Sequence, residues 1–300
     1  MYKILFEIIL NNQCNKRCSY CDLDFKDTSF SFVDIDKFTY FLRTNKNLVE
    51  YYHINFFGGE PLLSFDKIVY FIRNVGLDKI HYSIWTNWLL LDKDKLDFFK
   101  QNNVTIHLSI DNINITGLQL FEKINISDYR DSIEINFIND PEFLDNSQRI
   151  FNFIKDKNFK KINIMPVFTT RKWDKKSLKW LFELRKYING FHLKNIQYFS
   201  YFNWFPSDIQ YILDTDLCFY QDIDSLLWLQ KQYHVVPEDL RQEIQNKTKI
   251  FSLEESDYNV LDLIRKYNKK EVLELIFKIP KSIWTYEDNL LIDKIIKNGI

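Results

Sequence analysis

Six short apolar runs alternate with stretches of helical spacing, and this rhythm constrains the fold more than any other feature of the chain. The runs cover residues 2–10, 53–57, 79–85, 104–110, 132–138 and 161–168, and are rich in Ile, Phe and other strand-favouring residues. Between them, apolar positions recur at helical intervals over 34–45, 65–75, 92–101, 117–124 and 147–157. A further helix is expected over 175–188. Strand–helix alternation of this kind is satisfied by a parallel sheet with right-handed crossovers. Six units predict an α/β fold, an incomplete (βα)6 barrel, with a doubly wound sheet as the second arrangement because alternation alone does not fix closure. Beyond residue 190 the rhythm breaks into an aromatic stretch at 198–205, then Cys218, then a mostly helical remainder. The expected division is therefore a core over 1–190 and a capping, substrate-binding extension over 191–300.

Chemistry concentrates just after the first strand, in Asn-Gln-Cys-Asn-Lys-Arg-Cys-Ser-Tyr-Cys, where Cys14, Cys18 and Cys21 account for three of the four cysteines. Thiols packed this tightly in a chain without secretory features are better read as metal ligands than as disulfide partners. A zinc site needs a fourth ligand, and the closest His or Cys outside the loop is His53. Three thiolates can instead hold three corners of a cubane iron–sulfur cluster and leave one iron open.

Composition narrows the classes further. Forty Lys and Arg against 41 Asp and Glu leave a net charge of −1, so no basic field points to nucleic acid or an anionic membrane. Charges interrupt each hydrophobic run before the ~20 residues that a spanning helix needs. The start reads as a strand rather than a signal peptide. These features and the clustered thiols suit a reducing, cytoplasmic setting. The chain has no alanine and only six glycines, two of which, Gly58 and Gly59, are adjacent. The aromatic run at 198–205 and the strand histidines His53, His81 and His107 read as packing residues.

Polar signatures close four successive strands. The cysteine loop follows the first, Gly58-Gly59-Glu60-Pro61 the second, Thr86-Asn87 the third and Ser109-Ile110-Asp111 the fourth. Parallel α/β folds place their active sites at these ends. Paired glycines let backbone approach a ligand closely, and Glu60 offers an acceptor for an ammonium group.

With these residues in view, the chain resembles the radical S-adenosylmethionine (radical SAM) family, in its cysteine spacing and its Gly-Gly-Glu-Pro segment. The Thr-Asn turn and the Ser-x-Asp strand end resemble its peptide-modifying branch, which includes sulfatase maturases and ribosomal-peptide maturases. The resemblance spans residues 1 to about 190. It implies that Cys14, Cys18 and Cys21 ligate one 4Fe-4S cluster. It also implies that Gly58, Gly59, Glu60 and Pro61 receive the amino group of S-adenosylmethionine, that Tyr20 lies beside the adenine, and that Thr86, Asn87, Ser109 and Asp111 line the cofactor pocket. The reaction implied is reductive cleavage of S-adenosylmethionine to a 5′-deoxyadenosyl radical that abstracts hydrogen from a peptide. An external one-electron donor, flavodoxin or ferredoxin, is implied as well.

The chain departs from the branch at several points, among them three at named residues. Trp88 stands where glycine usually follows Thr-Asn, Asn112 stands where glycine follows Ser-x-Asp, and Cys218 alone cannot hold an auxiliary cluster. Two other readings stay open: a radical SAM enzyme acting on a small molecule, and a non-catalytic iron–sulfur or zinc-binding interaction protein.

Overall fold

The computed structural model of the chain describes residues 2–19, 21, 27–111, 126–157, 159, 161–166, 176, 179, 209–213, 218–221, 243, 249–252 and 254. Strands β1 (Tyr2–Asn11), β2 (Val49–Gly58), β3 (Ile80–Thr86), β4 (Val104–Asp111), β5 (Ile133–Asn139) and β6 (Ile162–Pro166) alternate with helices α1 (Phe32–Asn45), α2 (Phe65–Val75), α3 (Lys93–Gln101) and α4 (Leu144–Asp156). The expected helices at 117–124 and 175–188 lie outside the described residues, apart from 176 and 179.

The six strands pair in parallel and in chain order, each with its sequence neighbour. A doubly wound sheet would reverse direction at a switch point within these strands; none occurs from β1 to β6, as the incomplete barrel requires. The sheet remains open. Three strands that the sequence rhythm did not reveal extend it beyond β1. Strand β7 (Ile209–Leu213) pairs with β1 in parallel, and β8 (Cys218–Gln221) and β9 (Lys249–Ser252) continue it antiparallel. Part of the 191–300 region therefore belongs to the same sheet as the core. The helical remainder expected there lies largely outside the described residues.

Local chemistry explains where the helices begin and end. Ser31 and Asp34 form a capping box at the start of α1, each side chain receiving the other's backbone N–H. Asp92 caps α3 by accepting from Lys95 N. α2 stops at Gly76, in the left-handed conformation at φ 57°. Among the described residues, no helix is long and apolar enough to cross a membrane.

The two faces of the sheet differ, because side chains alternate along each strand. One face supplies Ile4, Phe6, Tyr52, Ile54, Ile84, Ile106 and Ile135, all nearly inaccessible, to the core beneath the helices. There Phe6 meets Phe38 edge-on at 5.5 Å, and Phe71 stacks on Phe38 at 5.9 Å. Such offset and edge-on pairs add to the area that aromatic side chains bury.

The opposite face is polar. Glu7, Asn55 and Ser83 share one row across β1–β3, and Trp85, His107 and Glu134 share another across β3–β5. Asn55 donates to Glu7 (3.0 Å), and the Ser83 hydroxyl donates to Asn55 (2.8 Å). That hydroxyl's single proton is thereby used, so at 2.9 Å His53 Nε2 is the donor to Ser83 Oγ.

His107 is almost wholly buried, 2 % exposed. Burial, with the charge of Lys161 adding to it, pushes its pKa down to about 3. Lys161 itself is ion-paired with Glu134, beside the imidazole. The unfolded chain takes up this proton near pH 6.5, whereas the folded chain resists it to far lower pH, so stability falls as pH drops through that interval. The expected loss between pH 7 and pH 5 is about 2 kcal/mol from this one residue. Urea unfolding at the two pH values should show a smaller difference for His107→Phe than for the wild type, and equal differences would contradict a neutral buried imidazole.

Candidate functional site

The cysteine loop leaves β1 at Asn11, and this residue joins it to the end of β2. Asn11 is buried, and its side-chain amide donates to the Glu60 carbonyl (3.2 Å) and the Ser64 hydroxyl (3.1 Å). Backbone completes the seam, with Gly59 N–H reaching Asn11 O at 2.9 Å and Glu60 N–H reaching Gln13 O at 2.7 Å. Only glycine permits this approach. A Cβ on Gly59 would lie 1.9 Å from Gln13 O, and one on Gly58, at φ +118°, would lie 2.4 Å from Asn11 O. The paired glycines thus press the second strand end against the residue preceding Cys14. Asn11 carried no signal in the sequence beyond its place at a strand end.

Residues 12–19 belong to no helix or strand, and Cys14, Cys18 and Cys21 are all half-buried in this region. Cys21 N–H bonds back to Cys18 O at 3.0 Å, and the Arg17 guanidinium to Cys14 O at 2.6 Å. Among the described residues, no group of three His, Cys, Asp or Glu side chains is drawn together at one metal-binding point. The donor set still fits an iron–sulfur cluster in kind and place: three thiols on one loop, at the C-terminal end of the parallel strands, beside a glycine cradle.

Glu60, expected to receive the ammonium group of a ligand, is held here by donors of the protein itself. Its carboxylate is fully buried and already accepts three hydrogen bonds, from Leu62 N (3.0 Å), the Thr86 hydroxyl (2.7 Å) and Asn87 N (2.8 Å). Burial pushes its pKa up, while these donors and the Lys16 charge oppose the shift. The side chain fastens the end of β3 to the end of β2. Glu60→Ala would strand the buried donors and is expected to destabilise the folded chain by about 3 kcal/mol or more. Glu60→Gln, which keeps an acceptor but faces Asn87 with an N–H, should cost roughly half as much. Urea denaturation of both variants checks this ordering.

Thr86 and Asn87 turn sharply after β3. Trp88, in the position that glycine occupies in the resembled family, adopts φ 60°. The left-handed conformation costs a non-glycine residue roughly 1–2 kcal/mol. Burial of the indole, 6 % exposed, and a 2.9 Å bond from Trp88 N–H to Thr86 Oγ1 offset that strain. The turn therefore keeps a glycine-like path without glycine.

At the end of β4, Asp111 is buried and ion-paired with Lys16 at 2.6 Å. Lys16 lies between Cys14 and Cys18, so the pair ties the cysteine loop to a strand end 95 residues away. Sequence reading missed this contact, because a lysine between cysteines announces no partner. Ser109, on the same face as Asn136 of β5, is half-buried. Pro61 opens the short 3₁₀ turn Pro61–Ser64 and is buried. The structure therefore gathers the cysteine loop with Gly58, Gly59, Glu60, Thr86, Asn87 and Asp111. Tyr20 and Asn112 lie outside the described residues.

The family model of the radical SAM superfamily matches residues 8–180. Among curated relatives, an uncharacterized protein of Methanocaldococcus jannaschii is 28 % identical over 200 residues, covering 63 % of this chain and 59 % of the relative. The radical SAM cyclopropyl synthase TigE of Paramaledivibacter caminithermalis is 26 % identical over 130 residues, 36 % of this chain and 27 % of TigE. The chain thus spans less than two thirds of either relative's length. Among the solved structures that share the fold are two that hold peptides. One is anSMEcpe with bound AdoMet and the Cp18Cys peptide (TM-score 0.60, 17 % identity, 92 % of this chain and 82 % of that one). The other is SuiB of Streptococcus suis bound to its precursor peptide SuiA (TM-score 0.57, 16 % identity, 90 % and 65 %). The family match extends over more than half of the chain and takes in all three clustered cysteines, and the chain belongs to the radical SAM superfamily.

Proposed function

We propose that the chain is a peptide-modifying radical SAM enzyme using one 4Fe-4S cluster on Cys14, Cys18 and Cys21. The observation that carries this reading is the seam between Asn11–Gln13 and Gly58–Glu60, which sets the thiol loop directly against the glycine backbone of the adjoining strand end. When bound, the cluster supplies the electron that cleaves S-adenosylmethionine, yielding the 5′-deoxyadenosyl radical that abstracts hydrogen from substrate.

The residues of the chain divide the remaining work. Gly58 and Gly59 offer close backbone to the methionyl amino group, with Pro61 fixing the turn that follows. Glu60 positions Thr86 and Asn87, and Lys16 with Asp111 holds the loop over the fourth strand end. Ser109 and Tyr20 complete the pocket. The polar face of the sheet receives the substrate, and the 191–300 region caps it. Peptide is the preferred substrate class because anSMEcpe and SuiB, solved with peptides bound, share this fold. A flavodoxin or ferredoxin supplies the electron, and the setting is the cytoplasm.

A short precursor peptide encoded beside this gene would be the probe for substrate class. Incubated anaerobically with reconstituted protein, S-adenosylmethionine and dithionite, such a peptide should change mass and stimulate formation of 5′-deoxyadenosine. Stimulation by small metabolites with no peptide modified would favour the small-molecule reading.

A further inference from the structure

Two N–H donors converge on the Cys14 sulfur. The Lys16 backbone N–H lies 3.4 Å from Sγ, and the Asn87 side-chain Nδ2 lies 3.7 Å from it. The second contact comes from a different strand end, 73 residues away. Its direction is fixed by everything around the amide. Asn87 Oδ1 accepts from Leu89 N at 3.2 Å, and Nδ2 donates to Asn15 Oδ1 at 2.6 Å. Asn87 N–H is held by the Glu60 carboxylate at 2.8 Å. Flipping the amide would set oxygen against oxygen at Asn15 and against sulfur at Cys14. The NH2 group has two hydrogens, one for Asn15 and one for the sulfur.

As a thiol, Cys14 has a proton to share, and its Sγ lies 3.9 Å from Asn15 Oδ1. An iron-bound thiolate has no such proton and can only accept. We propose that the Asn87 amide donates a hydrogen bond to the cluster-ligating Cys14 thiolate and thereby raises the reduction potential of the cluster. The reduced cluster carries one more negative charge than the oxidised one, shared with its sulfur ligands. A positive N–H dipole aimed at that sulfur stabilises the reduced form more, and hydrogen bonds to sulfur are among the controls on cluster potential. Asn87 is in this respect a tuning residue, in addition to any contact with S-adenosylmethionine.

The proposal rests on the cluster assignment above, and the two are tested by separate readings. Iron and sulfide content of the anaerobically reconstituted protein decides the assignment, and a wild type that takes up no cluster overturns both. A redox titration without S-adenosylmethionine or substrate, followed by the EPR signal of the reduced cluster, decides the hydrogen bond. Asn87→Ala should lower the midpoint potential at unchanged iron content. Asn15→Ala breaks the same inter-strand contact but leaves the amide beside the sulfur, so its potential should equal or exceed that of the wild type. An unchanged potential in Asn87→Ala, or an equal fall in Asn15→Ala, would overturn the proposal.

Should Asn87→Ala fail to hold a cluster, the wild-type chain and Asn15→Ala, labelled with 15N at asparagine side chains, decide the question. Pulsed EPR of the reduced cluster should then show a coupled side-chain nitrogen that persists in Asn15→Ala. Its absence would overturn the hydrogen bond.

Discussion

Gly59→Ala is expected to lower affinity for S-adenosylmethionine by more than a hundred-fold, a loss of about 2.7 kcal/mol or more. The added Cβ would sit 1.9 Å from Gln13 O, a backbone atom that a side-chain rotation cannot move aside. That oxygen also accepts the 2.7 Å bond from Glu60 N, so relieving the clash means parting the seam. Both the thiol loop and the backbone presented by Gly58 and Gly59 would shift. Equilibrium binding of labelled S-adenosylmethionine to the reconstituted variant measures the effect, and wild-type affinity would show that the seam does not shape the pocket.

Replacing any one of Cys14, Cys18 or Cys21 with alanine should remove the visible absorbance of the cluster and all cleavage of S-adenosylmethionine. Three thiolates serve three iron corners, so losing one leaves an iron without a protein ligand. The comparison variant is Cys218→Ala. Cys218 opens β8, which is separated from β1 by β7, and is not on the loop. It should retain full iron content, about four irons per chain. A triple Cys14/Cys18/Cys21 variant that keeps its iron would contradict the assignment, and loss of half the iron in Cys218→Ala would reveal a second cluster.

Much of the core was legible because local chemistry and tertiary need agree there. Expected runs such as 104–110 match β4 nearly residue for residue, since Val104, Ile106, Leu108 and Ile110 alternate with Thr105, His107 and Ser109. That alternation also carried the polar face, which reads from sequence only once the neighbouring strands are in register. The extra strands β7–β9 were not legible. They are four or five residues long, and the first of them, β7, finds its partner in β1, about two hundred residues earlier, while β8 and β9 build on β7 in turn. At the site, residue types marked the strand ends, while the pairing between them stayed hidden. Asp111 read as a pocket residue, and its charge is met by Lys16. Glu60 read as a ligand acceptor, and its oxygens are taken up by Thr86, Asn87 and Leu62. A buried carboxylate needs such partners, but sequence does not say which donors supply them.

On the proposed function, this loop and seam make a working radical SAM centre. This is tested most directly by reconstituting the protein anaerobically, confirming iron and sulfide, and adding S-adenosylmethionine with dithionite. 5′-Deoxyadenosine and methionine are expected in equal amounts, absent without reductant and absent from the Cys14→Ala protein. An intact four-iron cluster that yields neither product would contradict the proposed function and leave a binding protein in its place.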